Sequence, residues 1–139
     1  MSNEAANVAA LRVAYARWYE TKGGSVDHWL SLLSDDIKAG SLAAGSLDAL
    51  PFSTSYNRKS DLRLYFSAIL HDWEMLDFTV GEFVAQGEAV VMRGAMTWRH
   101  RRTGKTFTSS KVDFWRFRNG RAIEFFEYFD TAGALAAAQ

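Results

Sequence analysis

Residues 111–130 read KVDFWRFRNGRAIEFFEYFD, and the reading of this stretch decides the fold. Two runs dense in aromatic side chains flank Asn119-Gly120, the strongest short-range signal for a β-hairpin. Alternation with period two makes each run a strand. Lys111, Asp113 and Glu127 sit among the aromatics. Charges amid apolar strands are costly to bury unless paired, so they either face solvent or line something useful.

Working outward, the period of two extends back through 75–86, 88–101 and 105–118, with Gly87 and Arg102-Thr103-Gly104 as further turns. Before Trp73 the period is helical. Val8, Leu11, Tyr15, Trp18 and Tyr19 share one side of a helix over 4–20, Arg17 lies opposite, and Gly23-Gly24 ends it. Ser25 is placed to cap a short helix that buries Val26, Trp29, Leu30 and Leu33. Asp35-Asp36 open a strand over 37–41. Ser60 is placed to cap a third helix with Leu62, Tyr65, Phe66, Ile69, Leu70 and Trp73 on its apolar face. Between them, 42–56 reads as a long irregular loop with the only proline, Pro51, and a doubled Ala-Gly-Ser-Leu at 39–42 and 44–47. The tail, 131–139, fits either a short closing helix or a frayed end. Helices first and a strand meander last predict an α+β fold with the helices packed on one face of the sheet.

With 139 residues, one domain over 1–139 is expected. Apolar residues make up 48%, and twenty aromatics (five Trp, five Tyr, ten Phe) supply a single core. Sixteen basic and sixteen acidic residues cancel, so no global field steers the chain toward nucleic acid or a membrane surface. No apolar run approaches the roughly 18 residues of a membrane span, and the first residues lack a signal-peptide layout, which leaves the cytoplasm as the expected compartment. The chain has no cysteine, so disulfides and thiolate metal sites are excluded. His28, His71 and His100 have no ligand-like spacing, so no metal site is expected. Arg99-His100-Arg101-Arg102 with Lys105 is a basic run without interleaved aromatics and reads as solvated.

The order helix, short helix, Asp-Asp strand, helix and long hairpins, ending in Gly120-Arg121-Ala122-Ile123-Glu124-Phe125-Phe126-Glu127-Tyr128-Phe129-Asp130, resembles the nuclear transport factor 2-like superfamily. That group includes ketosteroid isomerase, SnoaL-like polyketide cyclases and limonene epoxide hydrolase. The resemblance implies a cystatin-like cone, a curved mixed or antiparallel sheet wrapped around three N-terminal helices with an internal apolar cavity, usually as a homodimer. It also implies chemistry without a metal or organic cofactor. Asp113-Phe114-Trp115-Arg116-Phe117 resembles the isomerase strand whose aspartate stays protonated as an oxyanion donor. The isomerase's general base, however, falls at Ser41, and its first-helix tyrosine falls nearest Arg17, with Tyr15 or Trp18 as inward neighbours. Glu127 falls at the last-strand acid of the epoxide hydrolase, whose other partners fall at Gly94 and Met96. Both residue sets are broken, so neither named reaction carries over.

The hairpin register decides whether the acids share a face. A strict two-residue turn pairs Arg118 with Arg121 and sets Glu127 opposite Val112. A three-residue turn with Gly120 in a left-handed bulge pairs Phe117 with Arg121, setting Lys111 opposite Glu127 and Asp113 opposite Phe125. The second is expected, because it makes the aromatic rows coincide. Glu127, Asp113 and Lys111 are then candidate catalytic groups, Glu127 as acid or base and Asp113 as a partly protonated donor. A self-satisfied ion pair of Lys111 and Glu127 is the structural alternative. Tyr15, Trp18, Trp73, Trp115, Phe125 and Phe129 are expected to line the pocket, with Ser41 as a donor at its mouth. Met96 and Trp98, with Met92, alternate inward as packing or lining. A small apolar or carbonyl-bearing molecule is the expected ligand of an isomerase, cyclase or hydrolase; a non-catalytic binder or dimeric interaction module is the competing class. Val112, Phe114, Phe126 and Tyr128 form an apolar outer face, expected to join two copies in a homodimer.

Overall fold

A computed structural model describes residues 2–43 and 48–139. The second Ala-Gly-Ser-Leu copy, 44–47, lies outside the described residues. Helix α1 (Asn3–Glu20) starts at Ser2, whose hydroxyl accepts from the Ala5 N–H, and buries Leu11, Ala14, Tyr15 and Trp18 at the helical spacing. It ends where Gly23, at φ 92°, donates its N–H to the Trp18 carbonyl. A Cβ at Gly23 would also stand 2.5 Å from the Leu70 side chain, so both backbone and packing ask for glycine.

Helix α2 (Val26–Leu32) leads into strand β1 (Leu33–Ser41), a single turn of tight helix follows at Pro51–Ser53, and α3 spans Lys59–Asp72. Two expected caps differ. Ser25 occupies the cap position of α2, but at φ −92°, ψ 34° it lacks the extended backbone that aims a hydroxyl at the first turn, and its side chain caps nothing. Helix α3 begins one residue before Ser60, with the extended Arg58 at the cap position and no side-chain cap bond.

Strands β2 (Trp73–Gln86), β3 (Ala89–His100), β4 (Thr106–Arg118) and β5 (Arg121–Phe129) form the meander, and α4 (Thr131–Ala137) closes the chain, capped by Asp130. The sheet order is β1-β5-β4-β3-β2, with β1 parallel to β5 and every other pair antiparallel. The fold is therefore α+β with a mixed five-stranded sheet, as expected. Helices α1, α2 and α3 cover one face, and the core runs from Leu11 and Trp18 through Trp29, Leu62 and Phe66 onto Trp98 and Trp115. No helix among the described residues is long and apolar enough to cross a membrane.

The β4–β5 hairpin corrects the expected register. Asn119 (φ 51°) and Gly120 (φ 78°) make a strict two-residue turn, and Arg118 pairs with Arg121. The extra residue lies further along, at Ile123, because Phe117 pairs with Ala122 while Arg116 already pairs with Glu124. Beyond this bulge Asp113 stands opposite Glu127 and Lys111 opposite Phe129. Both carboxylates face inward, as expected, but across from each other rather than from Lys111 and Phe125.

Candidate functional site

Lys111 and Asp113, two residues apart on β4, share the inner face with Glu127 on β5. The Lys111 ammonium lies 3.0 Å from Asp113 Oδ1 and 3.1 Å from Glu127 Oε2. All three are buried, at 6%, 2% and 3% exposure. Helix α1 brings Tyr15, whose hydroxyl donates to Asp113 Oδ2 at 2.5 Å and accepts from the Trp115 indole N–H at 2.9 Å. Helix α3 brings Tyr65, whose hydroxyl donates to Glu127 Oε1 at 3.1 Å. A continuous polar chain thus runs Trp115–Tyr15–Asp113–Lys111–Glu127–Tyr65 through an aromatic interior.

Two carboxylates share one ammonium, so a fully ionised triad carries one excess negative charge. Burial pushes the Glu127 carboxyl above the ordinary glutamate value, against the pull of Lys111 and with the push of Asp113. Burial alone would lower Lys111, but Asp113 and Glu127 outweigh it and hold the ammonium above the ordinary lysine value. Burial, and then the adjacent carboxylates, raise Tyr15 and Tyr65 well above the ordinary tyrosine value, so both hydroxyls keep their protons. Tyr15 donates to one Asp113 oxygen, and the Lys111 ammonium stands 3.0 Å from the other.

Two small chambers adjoin this chain. The Asp113 chamber, about 50 Å³, lies among Tyr15, Trp18, Trp29, Trp115 and Phe125. The Glu127 chamber, about 40 Å³, lies among Trp73, Met96, Trp98, Phe107 and Phe129. Trp18, Tyr65, Phe78 and Lys111 line both, so the ammonium sits in a shared wall. Trp29 and Trp115 stack face to face, 5.5 Å between centroids and 2° between planes, and narrow the first chamber. Larger hollows of about 570 Å³ exist at the surface, one beside Asp35, Asp36, Arg58 and Arg63. Those are open grooves without buried acid/base groups, and the chemistry points to the smaller interior spaces.

Eleven of the twelve candidate residues read from the sequence come to these two chambers. Ser41 does not. It is buried on β1, donates to the Ser53 carbonyl at 3.1 Å and lines neither chamber, because the strap at 50–56 folds across its side chain. Trp29, Tyr65 and Phe78 are among the lining residues that the sequence reading did not single out as candidates. Tyr65 carried a signal: a hydroxyl on the apolar face of a helix needs a buried partner. Among the described residues no group of three or more His, Asp or Glu side chains is placed to hold a metal ion.

Comparison with solved structures gives the same architecture. An NTF2-like protein of unknown function from Burkholderia pseudomallei superposes with a TM-score of 0.83 at 21% identity, covering 100% of this chain and 99% of that one. TerC, co-crystallised with polyporic acid, gives 0.81 at 20% identity over 96% and 98%. A Catenulispora acidiphila protein with a ketosteroid isomerase-like fold, in complex with trimethylamine, gives 0.70 at 11% over 87% and 88%. Identities this low carry the fold and not the chemistry. A search of curated proteins returned no match. The family model for the SnoaL-like domain matches residues 13–125, which take in most of the helical half and most of the β4–β5 hairpin, and the chain belongs to that family.

Proposed function

We propose that this chain is a cofactor-independent acid/base catalyst of the isomerase, cyclase or hydrolase kind, acting on a small, largely apolar molecule with a carbonyl or epoxide oxygen. The observation that carries the proposal is the Lys111 ammonium held by two buried carboxylates in the wall between two apolar chambers. An ammonium has three N–H donors; one goes to Glu127 Oε2, and Asp113 Oδ1 stands 3.0 Å away as an ion-pair partner. A remaining donor is available to a substrate oxygen, where it would stabilise developing negative charge in a water-poor site. Glu127, its carboxyl raised by burial, takes or returns the proton at the neighbouring carbon or leaving oxygen. Asp113, pinned by Tyr15, holds Lys111 in place and charged.

Three buried charges are an expensive way to fill a core, since apolar replacements of similar volume are often neutral or stabilising. That cost supports use over packing. TerC with polyporic acid and the Catenulispora protein with trimethylamine are relatives in complex with small organic molecules, which supports binding of a small molecule in this chain as well.

A non-catalytic binding module is favoured by one observation, the small volume of both chambers. Glu127→Gln separates the two. For a panel of small cyclic ketones and epoxides, catalysis requires turnover that falls at least about a hundredfold in the variant, the usual weight of a general acid or base. Ligand-induced thermal stabilisation that survives the substitution, with no turnover in either protein, is the result of a binding module.

The outer face of the hairpin supports a homodimer. Tyr128 is 45% exposed, and Phe114 and Phe126 are partly exposed in the single chain. A monomeric mass by sedimentation at micromolar concentration would refute the dimer.

A further inference from the structure

The basic turn at 101–105 reads from the sequence as solvated, and Arg101, Arg102 and Lys105 are exposed, yet the turn also holds another element in place. Arg102 Nη2 donates to the Ala138 carbonyl at 2.5 Å, and Thr103 Oγ1 to the Ala137 carbonyl at 2.6 Å. Carbonyls at the end of α4 have no helical N–H to meet them, so the turn supplies their partners. The turn itself is firm. Gly104 N–H donates to the His100 carbonyl at 2.8 Å, and Thr103 N–H to Nδ1 of the buried His100 at 3.4 Å. At the other end of α4, Asp130 Oδ1 accepts from the Gly133 N–H at 3.0 Å, and the Asp130 N–H donates to Ser109 Oγ at 3.0 Å.

Between these fastenings little holds α4 down. It packs chiefly on β4, and the side chains buried along it are the single methyl groups of Ala134, Ala137 and Ala138. Ala134 is nonetheless part of the wall of the Glu127 chamber. The rest of that wall comes from α1, α3, the sheet and the strap at 50–56, and every side chain in it is larger than alanine. The strap is also tied to β1 by two backbone hydrogen bonds of 2.8 Å between Tyr56 and Ala39. A chamber of about 40 Å³ behind buried side chains admits a larger molecule only when a wall gives way.

We infer that α4 is the gate of the Glu127 chamber and that the 101–105 turn is its latch. Seven residues are too few for a helix to persist alone in water, so α4 undocks and unravels in one step. That step exposes little apolar surface and leaves the sheet intact, as befits an element that opens locally. The inference rests on the reading of the chamber as ligand space. It concerns entry, so it requires no proton transfer by Glu127.

The chain has no cysteine, so an introduced thiol reports access to one place. Met96→Cys puts it in the Glu127 chamber, and Leu33→Cys puts a control in the Asp113 chamber. Labelling by methyl methanethiosulfonate is followed by mass in the full chain, with and without the latch substitutions Arg102→Ala and Thr103→Ala. Loss of both latch bonds is expected to speed labelling at Met96→Cys by about tenfold or more, at roughly fivefold per hydrogen bond, and to leave Leu33→Cys unchanged. Equal acceleration at both positions, the sign of global unfolding, would overturn the gate, as would no acceleration at Met96→Cys. Wild-type hydrogen exchange gives a second reading that needs no variant to fold. The Ala134 and Ala138 amides, bonded to the Asp130 and Ala134 carbonyls, should exchange through an opening that low urea barely speeds, while the β3–β4 ladder responds steeply. A shared steep response would mean that α4 opens only with the whole fold, and the gate would fall. Because neither measurement needs turnover, the gate can fail while the acid/base reading stands, and the reverse.

Discussion

The two faces of one hairpin solve the same electrostatic problem in opposite ways. On the inner face Lys111 meets Asp113 and Glu127 with all three below a tenth exposed. On the outer face, on the same two strands, Arg116 meets Glu124 at 3.1 Å with side chains 39% and 43% exposed. The distances are alike, yet the surroundings set the value. Water screens the outer pair, which is worth little, while the inner charges depend on one another and on the hydroxyls of Tyr15 and Tyr65. The difference teaches that ion-pair geometry alone does not locate a site; burial without surplus counter-charge does.

The comparison is broken most forcefully at Lys111. Lys111→Met leaves two buried carboxylates without a cation, and a loss of roughly 3–5 kcal/mol at pH 7 is expected by urea denaturation. Acidification should return much of that stability by protonating the carboxylates. Replacing Lys111, Asp113 and Glu127 together with Met and Leu should cost far less than Lys111→Met alone; a triple variant weaker than the single would show that the charges themselves hold the fold.

Tyr15→Phe comes next. It strands the Trp115 N–H and removes a donor from Asp113, with an expected loss of about 1–3 kcal/mol in the same measurement.

Glu127→Gln sharpens the comparison through pH. The folded-state value of Glu127 is raised, so its protonation favours the folded state, a contribution fully present below the ordinary glutamate value and lost as pH rises through the folded value. Wild type should therefore fall in stability relative to Glu127→Gln on going from about pH 4 upward. A gap that is flat with pH would place Glu127 in an ordinary environment. The smallest effect belongs to the outer face, where Arg116→Ala should change stability by less than about 1 kcal/mol and should lose even that in high salt.

Much of this was legible in the sequence, for identifiable reasons. Alternation in 105–130 placed Lys111, Asp113, Trp115 and Phe129 inward, because period two is a direct consequence of strand geometry. The bulge was not legible at its true position. Asn119-Gly120 is compatible with both a two-residue turn and a bulged one, and Ile123 carries no compositional mark of an irregular residue. Expecting the extra residue at Gly120 gave the right faces and the wrong partners. Ser41 and the caps at Ser25 and Ser60 differ for a related reason: what a serine hydroxyl meets is set by the backbone around it, and residue type does not specify that. Tyr65 was visible on its helix, but its meeting with Glu127 depends on how α3 lies across the sheet.

The central claim is that Glu127 holds the variable proton of a buried triad whose cation is Lys111. A site-resolved carbon NMR titration of the Glu127 carboxyl tests it most directly. The account predicts a midpoint above the ordinary glutamate value near 4.3, rising further in Lys111→Met held folded by ligand or osmolyte. A midpoint at or below the ordinary value, unmoved by loss of Lys111, would contradict it.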